Sequence, residues 1–334
     1  MANISVIINC YNRREFLMDA VNSVVNQSLD RSLYEIVVIK NYKNEDIDNF
    51  LLVNRVINIT TDLKTTGEWF ELAINVATGD IISFLDDDDI FTHNKLESTL
   101  KIFKDNLNLV FLHNASFRFS NDNHGTFLSN NEKQGILNIH ITNKSGLIDA
   151  LKKNYFQNLS SISIQKTVLK ENIDYIRKTN YGTDFVIFVA SSLTSGSMMH
   201  TNEVLTLYRI HGNSASNLAV FDLNAYLESR TVVISAIASV YNIFLNLTDN
   251  IHLKSYLKIR LFILKIWKDF VSDERGNGYF FKEIVNALSL ISYYPKSIYF
   301  IILYPIYYTF PSAFRRLLFV FLESKVGWSL RNPI

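Results

Sequence analysis

The sequence is poor in cysteine, glycine and proline, and each shortage narrows the class of protein. The single cysteine, Cys10, excludes an intramolecular disulfide framework and a zinc module built on several cysteines. With only 11 Gly and 4 Pro in 334 residues, the chain predicts long regular elements and few elaborate loops. The first residues carry no basic leader before an apolar run, so we expect no secretory signal peptide.

The charge is nearly balanced overall but unevenly distributed along the chain. Residues 251–334 hold 12 Lys and Arg against 5 Asp and Glu, whereas residues 1–250 hold 21 against 27. Because this basic tail is mainly apolar, it indicates a membrane surface or a buried helical core, and nucleic acid is not an expected partner. We expect a cytoplasmic protein whose tail brings it to the cytoplasmic face of the membrane; the alternative is an ordinary helical domain.

Apolar runs of strand length and helix length alternate through the first part of the chain. The strands are predicted at 4–9, 34–39, 56–59, 81–85 and 109–113, and the helices between them at 13–27, 69–77 and 93–104. This order predicts an α/β fold with a doubly wound, mostly parallel sheet. Beyond it we predict a hairpin within 115–145, helices at 146–153, 166–172 and 184–193, and an extended segment at 204–211.

The length and the change in periodicity predict two domains, at 1–220 and 221–334. The second contains predicted helices at 224–246, 252–270 and 279–294, followed by an apolar stretch at 298–322. Pro305 and Pro311 interrupt that stretch, so we expect an in-plane or re-entrant segment rather than a membrane span. Tyrosines such as Tyr299, Tyr304 and Tyr307 suit a belt at the lipid headgroups.

Four consecutive carboxylates, Asp86–Asp89, follow the apolar strand predicted at 81–85. In open α/β sheets, ligands bind beyond the carboxyl ends of the strands. Alternate residues of an extended chain point to one side, so Asp86 and Asp88 can form a small oxygen site for Mn²⁺ or Mg²⁺, which would neutralise a departing diphosphate. The alternative is a solvated acidic turn that caps the next helix.

Three further polar residues are candidates for the same site. Asp184 begins an apolar helix after a glycine, where a carboxylate can act as a general base or simply cap the helix. His211 ends an apolar extended run and is either a metal ligand or a structural residue. Arg209 lies two residues earlier and so shares its face, where an arginine can bind phosphate through two nitrogens.

These segments resemble the family 2 glycosyltransferases with a GT-A fold. The run 4–13 is similar to the opening strand and Tyr-Asn-Arg turn of that family, and 77–89 is similar to its Asp-x-Asp segment. Gly182-Thr-Asp184 resembles the segment that carries the catalytic base, and 208–216 resembles a late Arg-x-His motif. The resemblance therefore spans residues 4–216, about two thirds of the chain.

The resemblance implies a role for each matching residue. Asp88 would bind the metal directly, Asp86 would contact the ribose or the metal through water, His211 would be a further metal or diphosphate contact, and Asp184 would deprotonate the acceptor. The remaining donor-binding residues would be Asn9, Tyr11, Arg13, Asp87 and Arg209. The implied partners are a nucleotide-sugar donor and a glycan or lipid-linked acceptor, and a homodimer stays open.

The sequence departs from the family pattern at three places, one of which is Thr183-Asp184, where the family often has Glu-Asp. The second strand ends in Lys40-Asn-Tyr-Lys43 where the family has an acidic segment that contacts the base, so Asn41 would have to take that part. Gly67 stands in a segment where the family has Ala-Arg-Asn, and it still permits a close approach of the donor.

The sequence leaves two other functions open. One is a nucleotidyltransferase, although that function needs a glycine-rich loop after the first strand, which the segment 10–13 does not contain. The other is a catalytically degenerate protein that binds nucleotide sugars or glycans, because the end of the second strand is altered. The leading prediction is a metal-assisted, inverting glycosyltransferase.

Overall fold

The computed structural model describes residues 3–120, 138–141, 144–211, 223–272, 280–293 and 297–310. The chain divides into two compact units, Met1–Arg209 and Ile210–Ile334. The predicted domain boundary at 220 lies in the segment 212–222, outside the described residues. The hairpin predicted within 115–145 also falls largely outside them.

The first unit is built on one mixed sheet with helices packed against it. The strands are β1 (Ile4–Cys10), β2 (Tyr34–Lys40), β3 (Ile57–Thr60), β4 (Ile81–Asp86), β5 (Ile90–Phe91), β6 (Leu109–Ser120), β7 (Asn138–His140), β8 (Ile162–Gln165) and β9 (Ser197–Ile210). Their order is β3-β2-β1-β4-β8-β6-β9-β5, with β7 paired to β9. The predicted α/β class is confirmed.

The helices of this unit connect the strands. They are α1 (Leu17–Val25), α2 (Glu45–Val53), α3 (Thr66–Val76), α4 (Lys95–Asp105), α5 (Lys144–Lys153), α6 (Lys166–Glu171), α7 (Ile173–Ile176) and α8 (Thr183–Leu193). Short 3-10 turns cover Arg31–Leu33 and Leu159–Ser161. Apolar side chains of α1, including Leu17, Val21 and Val24, are fully buried in one core with those of β1 and β2.

The parallel half of the sheet places three strand ends side by side. Strand β1 lies between β2 and β4, and all three run in the same direction. In this register Asn9 is opposite both Ile39 and Asp86, and Cys10 is opposite Lys40. We call the edge at which these strands end the carboxyl edge, and residues that follow the strands there are brought together.

The other half of the sheet is antiparallel and was not predicted in this form. Strand β8 pairs antiparallel with both β4 and β6, and β9 pairs antiparallel with β5 and β7. Strand β8 was missed because its four residues are too few to show a period. It carries the turn Leu159–Ser161 to the carboxyl edge, beside the end of β4.

Two helices of the first unit differ from the sequence prediction. Helix α1 begins at Leu17 rather than Arg13, because the Arg13 carbonyl accepts hydrogen bonds from Cys10 Sγ and Tyr42 Oη instead of starting a helix. Helix α2 was not predicted. The sequence does carry a signal for the start of this helix. The Asn44 side chain accepts a hydrogen bond from the Ile47 N–H, and acidic residues follow in the first turn.

The second unit is helical in its described part. It contains α9 (Leu223–Leu247), α10 (Ile251–Ser272), α11 (Phe280–Ser289), a 3-10 turn at Ile291–Tyr293 and α12 (Ser297–Thr309). Helix α12 continues through Pro305, where the sequence predicted an interruption, while Pro311 lies outside the described residues. None of the helices in the described ranges combines the length and the hydropathy needed to cross a bilayer.

Two tyrosines of α12 are core residues, which corrects their assignment to a headgroup belt. Tyr304 and Tyr307 are buried beside Phe270 of α10. Their hydroxyls donate to Asp269, at 2.7 Å to its side chain and 2.6 Å to its carbonyl oxygen, respectively. Buried tyrosine hydroxyls need such partners, so these contacts fix α12 against α10. Tyr299, by contrast, is exposed.

Candidate functional site

The four carboxylates form a tight turn at the carboxyl edge, here called the acidic turn (Asp86–Asp89). Asp86 is the last residue of β4, and the Asp89 N–H donates to the Asp86 carbonyl at 3.1 Å. Oxygens of Asp86, Asp88 and Asp89 lie within 4.8 Å of one another. The sequence analysis expected Asp86 and Asp88 to share one side of an extended chain, whereas here the chain turns after Asp86 and Asp89 joins the group.

The chemistry of the acidic turn fits a divalent cation. Burial and then the charges of Asp89 and Asp88 raise the pKa of Asp86 well above its usual range. A bound cation removes that repulsion, and carboxylate oxygens are the ligands that Mg²⁺ and Mn²⁺ prefer. Asp86 and Asp88 are the more accessible members of the group and would hold the ion, with Asp89 behind them.

Asp89 is buried and holds the turn in place through both carboxylate oxygens. Ser160 Oγ donates to one oxygen at 2.6 Å, and the Arg209 N–H donates to the other at 2.9 Å. The same Ser160 Oγ accepts from the Asp86 N–H at 3.0 Å. Burial raises the pKa of Asp89 to about 7. Ser160 therefore connects the two ends of the acidic turn, a contact that the sequence analysis missed.

Arg13 covers the acidic turn from the side of β1. Its Nε donates to Asp87 Oδ2 at 3.2 Å, its Nη2 pairs with Asp87 Oδ1, and its Nη1 pairs with Asp88 Oδ2 at 2.8 Å. Its carbonyl is held by Cys10 and Tyr42, and burial raises the pKa values of that thiol and that phenol, so both stay protonated donors. We predicted from the sequence that Arg13 contacts the nucleotide. In the structure its guanidinium pairs with Asp87 and Asp88.

Asp184 lies in the first turn of α8, near the acidic turn. Gly182 precedes the helix with φ of +70°, a left-handed conformation that favours glycine, and turns the chain toward the site. Burial raises the pKa of Asp184 to about 6, against hydrogen bonds from the N–H groups of Phe185 and Asn158. Asp184 lies close enough to Asp86 for its charge to raise the pKa of that carboxyl further. The candidate base and the candidate metal site are therefore neighbours.

Asn9 and Tyr11 lie at the end of β1, where the sequence placed a nucleotide pocket. Neither polar atom of the Asn9 side chain has a hydrogen-bond partner among the described residues, although both atoms are buried. Such atoms are normally satisfied, so a ligand or an ordered water at this point would complete the site. Tyr11 is 59% exposed, and its ring centroid lies 5.6 Å from that of Trp69.

The altered end of β2 is filled by a buried lysine. Lys40 Nζ donates to the Tyr42 carbonyl at 2.7 Å and pairs with Asp48 Oδ1 at the same distance. Asn41 bonds to Asn12, accepting from its N–H at 2.9 Å and donating to its side chain at 2.7 Å. Asn41 thus braces the loop after β1, and its predicted contact with the base remains a prediction.

Gly67 lies where a close approach is needed, but the neighbour is protein. A Cβ at this position would lie 2.1 Å from the Ile176 carbonyl oxygen and 2.7 Å from that of Arg177. The Gly67 N–H also donates to the Thr179 carbonyl at 2.8 Å. These contacts pack the first turn of α3 onto the end of α7. These contacts explain why residue 67 is a glycine without any bound nucleotide-sugar donor. The predicted place of Gly67 in the donor pocket stays a prediction.

Arg209 lies behind the acidic turn. Its Nε donates to the Asp88 carbonyl at 2.8 Å, its Nη2 pairs with Asp19 at 3.1 Å, and its guanidinium lies over the Phe16 ring at 4.4 Å. These contacts hold the turn, whereas the sequence predicted a phosphate contact. His211 follows β9 and belongs to the second unit, so its role as a metal or diphosphate contact stays a prediction.

A mixed sheet with an acidic turn at its carboxyl edge, and with a carboxylate in the first turn of a neighbouring helix, is typical of the GT-A glycosyltransferase fold. Residues 5–159, just under half of the chain, match the family model described as Glycosyl transferase family 2. The motifs named from the sequence at Arg13 and at Asp86–Asp89 lie inside the matched segment.

Relatives in sequence are named glycosyltransferases. The chain is 34% identical over 131 residues to a protein of Rickettsia bellii named an uncharacterized glycosyltransferase, a match that covers 38% of this chain but 18% of that protein. It is 24% identical over 217 residues to an uncharacterized glycosyltransferase of Nostoc, which covers 63% of this chain and 65% of the relative.

Solved structures with the same fold are more distant in sequence. The structure of S. aureus TarS 1-349 in complex with UDP-GlcNAc has a TM-score of 0.54 at 14% identity, covering 87% of this chain and 80% of TarS 1-349. The mannosyltransferase PcManGT from Pyrobaculum calidifontis, in complex with GDP-Man and Mn²⁺, has a TM-score of 0.53 at 10% identity, covering 92% and 87%. At such identities the likeness establishes the fold.

Proposed function

We propose that this protein is an inverting glycosyltransferase. It moves a sugar from a nucleotide-diphosphate donor to a hydroxyl of a glycan or lipid-linked acceptor. The observation that carries the proposal is the group of carboxylate oxygens of Asp86, Asp88 and Asp89, which lie within 4.8 Å of one another, with the charge of Asp184 near enough to raise the pKa of Asp86. A carboxylate for proton removal and a carboxylate pair for a cation are the two groups that this transfer requires.

The donor class follows from the acidic turn and from the loop after β1. Mn²⁺ or Mg²⁺ at Asp86 and Asp88 would supply the charge that stabilises a leaving diphosphate. The unpartnered side chain of Asn9 and the exposed ring of Tyr11 lie at the same edge and would contact the nucleotide. The complexes of TarS with UDP-GlcNAc and of PcManGT with GDP-Man and Mn²⁺ support this class of donor.

The reaction is a single displacement at the anomeric carbon. The acceptor oxygen forms a bond to that carbon as the bond to the diphosphate oxygen breaks, and the nucleotide diphosphate leaves with the electron pair. Asp184 accepts the acceptor's hydroxyl proton. Its raised pKa, about 6, makes it a better proton acceptor than an ordinary aspartate while leaving it ionised near neutral pH.

The acceptor side of the proposal rests on the helical unit. Exposed basic side chains of α10, including Lys258 and Lys265, lie seven residues apart and so on one helical face. Together with the net positive charge of 251–334, they favour peripheral contact with an anionic membrane. That contact would place the enzyme at the cytoplasmic face, where a lipid-linked acceptor is accessible.

The test is donor binding and turnover with matched variants. A thermal-shift panel of UDP-, GDP- and dTDP-sugars with Mn²⁺ identifies the donor, because a ligand at 100 times its Kd stabilises the folded state by about 2.7 kcal/mol. With that donor, Asp88→Asn should lower sugar release about 10²-fold or more. Asp80→Asn, an exposed carboxylate at the other end of β4, should leave it unchanged.

A catalytically degenerate binding protein is the competing function, favoured by the lysine at the end of β2. That protein would bind a nucleotide sugar in the thermal-shift panel and would not hydrolyse or transfer it with Mn²⁺. Binding without turnover in the wild type would therefore support the binding protein and contradict the enzyme. Full turnover by Asp88→Asn would instead contradict the proposed role of Asp88 in binding the metal.

A further inference from the structure

Arg13 contacts two acids of the acidic turn through different parts of its guanidinium. Nε and Nη2 face the two oxygens of Asp87, which is a fork on one carboxylate. Nη1 reaches the next carboxylate and pairs with Asp88 Oδ2 at 2.8 Å. One guanidinium thus pairs with two of the four adjacent carboxylates.

The two contacts differ in how firmly they are held. The Asp87 side chain is 5% exposed, whereas that of Asp88 is 14% exposed. The backbone of Arg13 is fixed as well, because its carbonyl accepts from Cys10 at 2.6 Å and from Tyr42 at 3.0 Å. The fork on Asp87 therefore anchors the arginine, and the contact that can be exchanged is that of Nη1 with Asp88.

A divalent cation at the acidic turn would need the same carboxylate. Asp88 belongs to the group of three whose oxygens lie within 4.8 Å. A metal ion and the Nη1 nitrogen are both positive, so they repel each other when they share one carboxylate. Binding of the cation therefore weakens the contact between Arg13 and Asp88.

We propose that Arg13 is a resident counter-ion of the acidic turn that exchanges partners when the site is loaded. Its Nη1 leaves Asp88 as the divalent cation binds, and it then binds a phosphate oxygen of the donor diphosphate, while the fork on Asp87 stays in place. This rests on the proposed function and deepens it by assigning a residue that makes metal and donor bind cooperatively.

The exchange has a thermodynamic signature. The cation alone binds weakly, because it displaces an arginine from Asp88. A diphosphate then binds more tightly in the presence of the cation than in its absence, since it gains both the ion and the released Nη1. By linkage, the diphosphate raises the affinity for the cation by the same factor.

The first experiment is a calorimetric titration of Mn²⁺ without donor. Arg13→Gln should bind Mn²⁺ about fivefold more tightly than the wild type, because the competing ion pair is gone. Arg14→Gln is the matched control. It removes the same charge one residue away, from an exposed arginine that lies over the Tyr42 ring at 4.9 Å, and should leave the affinity unchanged.

The second experiment measures UDP and GDP binding with and without saturating Mn²⁺. The factor by which Mn²⁺ increases the affinity for the tighter of the two should fall about tenfold in Arg13→Gln. Arg13→Lys keeps the charge but has no fork, so it should recover only part of that factor. Circular dichroism of each variant checks that the fold is retained.

The outcomes separate this inference from the proposed function. Equal or weaker Mn²⁺ binding by Arg13→Gln overturns the exchange and leaves the metal site standing. An equal gain in Arg14→Gln also overturns it, because the effect is then one of net charge rather than of the contact with Asp88. A wild type that binds no Mn²⁺ overturns the proposed metal site and the exchange together.

Discussion

Asp184 has to be ionised to act as a base, and its burial opposes ionisation. With a pKa of about 6, the acid limb of turnover should lie near pH 6, with the rate falling about tenfold per pH unit below it. Asp184→Asn should lower transfer about 10²- to 10³-fold and remove that limb from the residual activity. A variant that keeps wild-type transfer, measured as product formed at saturating donor, would contradict the assignment.

The same raised pKa makes Asp184 a source of instability above pH 6. Between about pH 4 and pH 6 the folded protein holds this proton while the unfolded chain has released it, so stability falls as the pH rises through that window. We expect Asp184→Asn to be more stable than the wild type by about 3 kcal/mol at pH 8 and equal to it below pH 4. Urea unfolding at both pH values measures the difference; a destabilised variant at pH 8 would contradict it.

At the scale of single residues, the sequence predicted the positions of the acids better than the contacts of the cations. Asp86, Asp88 and Asp184 could be named because carboxylates after a strand or at a helix start have a recognisable context. The contacts of Arg209 could not, because its partners Asp19 and Phe16 are almost two hundred residues away in the chain. Spacing along a strand gives the face of a side chain but not its distant partners.

The turn Leu159–Ser161 is the element that holds the acidic turn from behind. Ser160→Ala should weaken Mn²⁺ binding about tenfold, since the residue orders Asp89 and the Asp86 backbone and such outer contacts typically contribute that much. Ser163→Ala is the matched control, because it removes a buried hydroxyl that pairs with Ser83 in the sheet. Equal losses of Mn²⁺ affinity in the two variants, measured by calorimetry, would contradict a specific role for this turn.

The contact between α3 and α7 tests whether Gly67 is structural. Gly67→Ala should destabilise the fold by about 3 kcal/mol, because the added Cβ meets backbone oxygens that cannot rotate away. Glu71→Ala on the same helix is the control and should change stability little. A stable Gly67→Ala whose only defect is a weaker affinity for the donor would support the sequence prediction instead.

Most elements of the first unit could be predicted because apolar periodicity is strong there. Strands β1, β2 and β4 were placed within a residue or two of their bounds. The start of α1 could not be predicted, because it depends on hydrogen bonds from Cys10 and Tyr42 to the Arg13 carbonyl. The helix α2 was missed although Asn44 and the acids after it are an N-terminal signal.

At the scale of the whole molecule, the basic helical unit predicts a reversible contact with anionic lipid. The full chain should float with liposomes that contain an anionic lipid at low salt and should be released at high salt. Lys258→Glu with Lys265→Glu on α10 should reduce flotation. Lys101→Glu with Lys104→Glu, two exposed lysines of α4, should not. Failure of the wild type to float would contradict the proposed membrane contact.

The central claim is that the acidic turn holds a divalent cation against the diphosphate of a nucleotide sugar. A crystal grown with Mn²⁺ and the donor found by thermal shift tests it most directly, through the anomalous signal of manganese. We expect one strong peak at coordination distance from carboxylate oxygens of Asp86 and Asp88, in contact with the donor diphosphate. A donor bound with no manganese at these two residues would contradict the account.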